Sequence, residues 1–337
     1  MRTAIFRGAG QPLAIEERPL PQPTAHQALI RVHRCGICGS DLHMTSGSPF
    51  DMPCGSAPGH EYAGEVVELG AGGTNLSVGD RVTALPMSGC GECEACRADM
   101  PLHCPNLRQM AGGYAEYTLI DARKAIRLPD SLGFEDGALV EPLASARRGL
   151  RRLPGMDAGM RVAIIGAGAI GAASAFWARK LGAGPIAMIA RSRRNEALAA
   201  AVGADAFLTT GEGLGEDLAK ALGGAPDIVI EGAGAPGTIQ DAIGLVRLGG
   251  TVLSLGGCIH PDPIMPALAM YKDITLRFSV AYGMADFTAC VATLDAGHVQ
   301  PRAMVGDTIG LGALPDRFEA MRTGSHAAKV MVDPQLP

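Results

Sequence analysis

No stretch of this 337-residue chain is apolar for long enough to cross a membrane. The longest uncharged run, Val162 to Ala178, is interrupted by Gly166, Gly168 and Gly171. It also falls short of the roughly 20 residues that a spanning helix needs. The opening residues, Met1 to Gly10, lack the apolar core of a secretion signal. No long Lys/Arg-rich run stands out, and the formal net charge is −5. Both facts weigh against nucleic acid and anionic membrane as partners. Internal repeats and low-complexity linkers are missing too. The expectation is a soluble, cytoplasmic, globular protein.

What is present supports a sizeable core. Hydrophobic residues make up 47% and charged residues 19% of the chain. The length is a soft prior for two domains. The first third is rich in Gly, Pro and Cys and alternates in short runs, such as Ala28 to His33 and Glu65 to Leu69. That texture predicts a mostly β domain of short strands. From about Arg161 apolar runs (Val162–Ile165, Ile186–Ile189, Ile228–Ile230, Thr251–Leu255) alternate with Ala-rich helical stretches. Such alternation predicts βαβ units on a parallel sheet, hence an α/β fold. A helix over Asp286–Ala296 and a strand over Ala328–Val332 close the expected element list.

The nine cysteines are odd in number and clustered. In a chain without a secretion signal that pattern favours metal ligands over disulfides. Cys90, Cys93, Cys96 and Cys104 follow a C-x2-C-x2-C-x7-C spacing. Four thiolates from one loop complete a tetrahedral zinc shell and leave no position for substrate, so such a zinc is structural. An iron–sulfur cluster is the competing metal reading, and unrelated buried thiols are the bland one.

Three further segments carry metal-binding residue types: Cys35-Gly-Ile-Cys38-Gly-Ser40-Asp41-Leu-His43, Gly59-His60-Glu61 and Glu141-Pro-Leu143. Singly each is weak, since a Cys-x-x-Cys can be a redox pair and a lone His is usually structural. Downstream, Val162–Ile165 leads into Gly166-Ala167-Gly168-Ala169-Ile170-Gly171 and then an Ala-rich stretch. A glycine pattern between strand and helix is the dinucleotide fingerprint: the glycines admit the pyrophosphate, and the helix N-terminus favours its charge.

Taken together, these segments resemble the zinc-containing medium-chain dehydrogenase/reductase family, near its alcohol, sorbitol and threonine dehydrogenase branches. The resemblance spans essentially the whole chain. It implies a GroES-like β domain of about residues 1–145 with 282–337, and a Rossmann doubly wound parallel sheet domain of about 146–281 inserted between them, with the active site in the cleft. It makes Cys38 and His60 the first two ligands of a catalytic zinc, and Cys35 a packed neighbour. The third ligand is Glu61 or Glu141, directly or through water. Asp41 then orients His60, Ser40 touches the substrate oxygen, and His43 passes its proton to solvent. Zinc keeps one position open for an alcohol or carbonyl oxygen.

The spot about 20 residues beyond the fingerprint discriminates cofactors, because an acid there holds the ribose 2′-hydroxyl of NAD. Here Ala190 is followed by Arg191, Ser192, Arg193 and Arg194. Cations at a helix start are unfavourable without an anion, so a 2′-phosphate, and therefore NADP over NAD, is expected. Gly232, Leu255 and Gly256 lie at strand ends on the expected nicotinamide side, and Lys329 resembles the family residue that reaches the pyrophosphate. Its bland alternative is a plain edge-strand lysine.

The expected reaction is hydride transfer between a nicotinamide cofactor and an alcohol, polyol or ketone, by a homodimer or homotetramer. Glu141-Pro-Leu143 hints at polyols, whereas the pocket candidates Met87, Met110 and Tyr282 look apolar and favour a hydrophobic secondary alcohol. Two other readings remain at this point: an NADPH-dependent reductase of activated double bonds, and a non-catalytic nucleotide-binding protein.

Overall fold

The computed structural model describes residues 1–47, 49, 52–153, 155–322, 324 and 328–337. They form two compact units, Met1–Ala144 with Ala281–Pro337, and Ser145–Val280.

The second unit carries six parallel strands. In chain order they are Val162–Ile165, Ile186–Ala190, Ala206–Thr209, Ile228–Glu231, Thr251–Ser254 and Thr275–Phe278. In space they run third, second, first, fourth, fifth, sixth. Val162 pairs with Ile186 on one side and Ile228 on the other. The first and second strands are unbroken apolar runs, and the fourth is apolar up to its last residue, the buried Glu231, because helices cover both faces of such a sheet. The helix Ala169–Lys180 buries every residue from Gly171 to Ala178. Strand order reverses between the first and fourth strands, and the crevice beyond their carboxyl ends is where doubly wound sheets bind ligands.

The first unit is built on a seven-stranded sheet whose long central strand, Gln27–Gly36, pairs antiparallel with Glu61–Leu69. Its other edge is shared. Gln27–Arg31 pair with Tyr117–Asp121, while Cys35 and Gly36 pair with Val332 and Met331 of strand Lys329–Asp333. Ile30, Val32, Ile37, Tyr62, Tyr114, Phe318 and Val330 share one buried core cluster. Each large apolar side chain buried there stabilises the unit by about 1.5–3 kcal/mol.

Two details differ from the sequence reading. The helix expected over Asp286–Ala296 runs Met284–Asp295. It starts earlier because the Asp99 carboxylate accepts from the Met284 and Ala285 amides at 2.9 and 3.0 Å, an anion at a helix N-terminus. Lys329 lies on an interior strand, between Val305–Gly310 and Gln27–Gly36, which removes its edge-strand reading. Among the described residues no helix is long and apolar enough to cross a membrane.

Candidate active site and cofactor loops

Strand Gln27–Gly36 delivers Cys38 to the start of the short helix Gly39–Met44, where Cys38 is the extended N-cap residue. Ser40, Asp41 and His43 follow on that helix. A second strand, Glu61–Leu69, brings Glu61 in at its first position, directly after His60. The turn ahead of it needs Gly59. Its φ is +94°, and a Cβ there would stand 2.8 Å from the Tyr114 amide nitrogen and ring.

These elements converge. One donor atom each of Cys38, His60 and Glu61 lies within 4.8 Å of the other two. The His60 ring is oriented from behind: Nδ1 faces Asp41 Oδ1 at 3.1 Å, and Asp41 is 1% exposed. Burial disfavours a charged imidazole, but the Asp41 and Cys38 charges outweigh it and hold His60 well above its ordinary pKa. Asp41 itself is lowered, burial being overcome by His60 and by hydrogen bonds from His60, Tyr114 and Gly59. Ser40 Oγ stands exposed, 3.1 Å from Cys38 Sγ and 3.4 Å from His60 Nε2.

Glu61 is fully buried, and its two oxygens differ. Oε1 accepts from Lys329 Nζ at 2.6 Å. Oε2 has no hydrogen-bond partner among the described residues. Gly36 makes room for it, since a Cβ at that position would lie 2.0 Å from Oε2. Lys329 already offsets the Glu61 charge, but a buried carboxylate oxygen with no partner of its own is costly, and a thiol, an imidazole and a carboxylate oxygen together are a donor set that suits zinc.

Glu141, on helix Phe134–Arg151, stands further off, 3.9 Å from His60 Nε2. Tyr282 donates to its Oε1 at 2.5 Å. Burial, reinforced by the Glu61 charge, pushes the Glu141 carboxyl up to about 7, against the pull of His60, Tyr282 and Lys329.

Lys329 requires a correction. Expected at the pyrophosphate, it is 2% exposed and donates to Glu61 and to the Ile37 carbonyl at 3.2 Å. A buried ammonium paired this way is not available to a phosphate. Tyr282 is corrected in part: it is buried like Met87 and Met110, but its hydroxyl is a donor to Glu141 rather than part of an apolar wall. Sequence reasoning missed Tyr114, which donates to Asp41 Oδ2 at 2.6 Å; nothing local in Gly112-Gly-Tyr114 signals that contact.

In the cysteine loop, one sulfur each of Cys90, Cys93, Cys96 and Cys104 lies within 4.8 Å of the others. Backbone amides of Cys90, Cys93, Cys96 and Asn106 donate to these sulfurs at 3.2–3.5 Å. The amides of Glu92 and Cys93 bring the Cys90 thiol down to about 7. Cys96 goes up to about 11: the Gly91 amide lowers it, but desolvation and hydrogen bonds with the other three thiols prevail. Four crowded sulfurs cannot all ionise without a cation, and a bound one lets them.

At the dinucleotide loop, Gly166 has φ +101°, and a Cβ there would approach Ala233 N to 2.8 Å. Gly168 is the extended N-cap of helix Ala169–Lys180, with open space where a Cβ would be. A Cβ on Gly171 would sit 1.9 Å from the Gly166 carbonyl oxygen. Ala169 and Ile170 open the helix. Arg191, Ser192, Arg193 and Arg194 are all exposed after strand Ile186–Ala190, and Arg193 pairs with Glu196. Gly232 N donates to Ile165 O at 2.9 Å, and Leu255 N and Gly256 N donate to Glu231 O.

Comparison with known proteins agrees with this geometry. Residues 24–130 match the alcohol dehydrogenase GroES-like domain, and residues 169–296 match the zinc-binding dehydrogenase family. The (R,R)-butanediol dehydrogenase of Bacillus subtilis is 31% identical, over 96% of each chain. The sorbitol dehydrogenase of Ovis aries is 30% identical, over 97% of this chain and 95% of its own. A zinc-binding dehydrogenase structure from Sinorhizobium meliloti bound to NADP superposes with a TM-score of 0.87 at 30% identity, covering 99% of both chains. The chain belongs to the zinc-containing medium-chain dehydrogenase/reductase family. It is accordingly a zinc-dependent oxidoreductase of the alcohol and polyol dehydrogenase class, exchanging a hydride with NAD(P).

Proposed function

We propose that this enzyme interconverts a secondary alcohol or polyol and its ketone with NADP, using one catalytic and one structural zinc. The observation that carries the proposal is the convergence of Cys38, His60 and the orphaned Glu61 oxygen. The same set speaks against the double-bond reductase and non-catalytic readings, which have no need of it. Cys38, His60 and Glu61 would hold the catalytic ion, with Glu141 facing it from beside His60. Zinc supplies a Lewis acid for the substrate oxygen, and the nicotinamide supplies the hydride acceptor.

The chain's own residues then handle the proton. Exposed Ser40 stands beside the Cys38 sulfur and can accept the proton of a substrate hydroxyl while donating its own. His43, three residues on and therefore on the same face of the short helix, can pass it to water. Asp41 keeps His60 Nδ1 engaged, so that Nε2 faces the metal position.

NADP is favoured by Arg191, Ser192, Arg193 and Arg194, which are exposed where a carboxylate would otherwise hold the ribose. The NADP named for the Sinorhizobium meliloti structure supports this. Diol and sugar-alcohol substrates in the relatives' names support a polyol, whereas buried Met87 and Met110 favour an apolar substituent. Cys90, Cys93, Cys96 and Cys104 would hold the structural zinc. A site made of thiolates suits a reducing compartment, which supports a cytoplasmic location. Assembly into a homodimer or homotetramer is supported by the edge strand Thr275–Phe278 and its surroundings: Phe278, Val280, Met270 and Tyr271 are 61, 55, 79 and 81% exposed.

Metal analysis together with a substrate panel tests the proposal. Two zinc ions per chain are expected, falling to one in Cys38→Ser with loss of turnover. Reduction of NADP should exceed that of NAD for the same alcohol. One zinc in the unaltered protein, or a clear NAD preference, refutes the corresponding part.

A further inference from the structure

Glu231 ends the fourth Rossmann strand and is completely buried. Buried carboxylates are normally paired with a cation. This one is held by neutral donors instead. Oε1 accepts from Ala233 N at 2.8 Å, Gly234 N at 2.7 Å and Thr238 Oγ1 at 3.0 Å; Oε2 accepts from Ser254 Oγ at 3.2 Å. Its backbone carbonyl also accepts from Leu255 N and Gly256 N, at 2.8 and 3.0 Å. One residue therefore ties down both the loop after its own strand and the loop after the fifth.

Those loops press against each other and against the fingerprint turn with no space to spare. A Cβ on Gly256 would lie 2.3 Å from Gly234 N and 2.5 Å from Glu231 Oε2. One on Gly234, whose φ is +64°, would lie 2.9 Å from Gly257 N. One on Gly166 would meet Ala233 N at 2.8 Å. The three loops that leave the carboxyl ends of the first, fourth and fifth strands thus form one packed layer, and the Glu231 carboxylate is its shared anchor.

We infer that Glu231 is a positioning residue of the dinucleotide site: it fixes the 232–234 and 255–257 loops against the Gly166 turn in the arrangement that the nicotinamide half of the cofactor meets. This rests on the reading that the cofactor binds at the 166–171 loop. The role is geometric rather than electrostatic. A glutamine can keep its carbonyl oxygen on Ala233, Gly234 and Thr238 and turn its NH2 to the Ser254 hydroxyl, which can accept. A methionine of similar length leaves the Ala233 and Gly234 amides and the Ser254 hydroxyl unsatisfied, while Thr238 Oγ1 keeps the Ala235 carbonyl at 2.6 Å.

The test measures the dissociation constant of NADP by calorimetry, with amide hydrogen exchange followed across the whole Rossmann unit. Glu231→Gln should bind within about threefold of the unaltered enzyme, whereas Glu231→Met should bind at least about tenfold more weakly. Exchange should quicken at 232–236 and 255–258 in the methionine variant and nowhere else in the Rossmann unit. Should that variant fail to fold, Thr238→Val with Ser254→Ala removes both hydroxyl donors and should weaken binding by about fivefold or more. Weak binding by the glutamine variant would overturn the geometric role. So would unchanged affinity in the methionine variant or, if that does not fold, in the double variant. Gly168→Glu separates the two readings. Its Cβ meets open space, so the variant should fold yet lose NADP; if it binds normally, the cofactor is not at this loop and the premise itself has failed.

Discussion

Replacing Tyr114 with Phe removes one oxygen atom and keeps everything else in place. The ring still backs Gly59 and keeps its edge contact with Phe318, centroid to centroid at 6.4 Å. What disappears is the 2.6 Å bond to Asp41 Oδ2, together with a longer 3.2 Å contact to the Gly36 carbonyl. Burial, with the Asp41 charge next, keeps the tyrosine pKa well above its ordinary value, so the hydroxyl remains a donor. Asp41 is left with contacts on Oδ1 only, from His60 at 3.1 Å and Gly59 at 3.5 Å. A hydrogen bond to a buried charge is worth about 1.5–3 kcal/mol, and Oδ2 of the buried Asp41 loses the donor it had. Asp41 in turn aims the His60 ring, and loss of a partner behind a metal ligand typically lowers metal affinity by about 10- to 100-fold. Tyr114→Phe is therefore expected to lower unfolding stability by about 2 kcal/mol and to release catalytic zinc selectively. On the proposed two-zinc reading, competition with a chromophoric chelator resolves the two ions, because the cysteine-loop site is untouched and serves as the internal reference. Unchanged zinc affinity with an unchanged urea midpoint would show that Asp41 does not need the tyrosine, and would refute the reasoning.

Two further perturbations probe other contacts. Gly36→Ala places a methyl 2.0 Å from Glu61 Oε2 and 3.0 Å from Lys329 Cδ, so it should destabilise the fold by about 1–3 kcal/mol through overpacking and empty the catalytic site while sparing the structural zinc, read by denaturant melts and metal analysis. In the Rossmann unit, Asp227 is brought down to about 2; burial opposes this, but hydrogen bonds from Arg161 and Arg247 prevail. Its stabilising contribution is present above the unfolded pKa near 4 and is lost as pH falls from about 4 to about 2. Asp227→Asn should remove about 2 kcal/mol at neutral pH and flatten that acid limb; an unchanged pH profile of unfolding rules the pairing out.

Several features were legible because they are local. The four cysteines lie within one loop, so their spacing alone brought the sulfurs close. Val162–Ile165 followed by Gly166, Gly168 and Gly171 announced a strand, a tight turn and a helix, since each step is dictated by neighbours in the chain. The apolar runs named four of the six parallel strands to within a residue, but not Ala206–Thr209 or Thr275–Phe278, which are only half-buried or exposed. The start of helix Met284–Asp295 was less readable, because the Asp99 carboxylate that caps it is 185 positions away.

Residue types, short spacings and their order are what this sequence determined by itself: a cysteine loop, a dinucleotide turn, a chain of βαβ units, and a set of ligand-type residues. Which of those residues meet was decided only by the tertiary structure. Glu61 and Glu141 are equivalent as letters, and the sequence left them unranked. Folding puts Glu61 with Cys38 and His60 and leaves its Oε2 without a hydrogen-bond partner among the described residues, while Glu141 is claimed by Tyr282. Lys329 sits 268 positions from Glu61, and no local pattern could send its ammonium there rather than to a phosphate. The physical reason is the same in each case: periodicity and turn chemistry act between neighbours, whereas the partner of a buried charge is chosen by whichever distant strand the sheet places beside it.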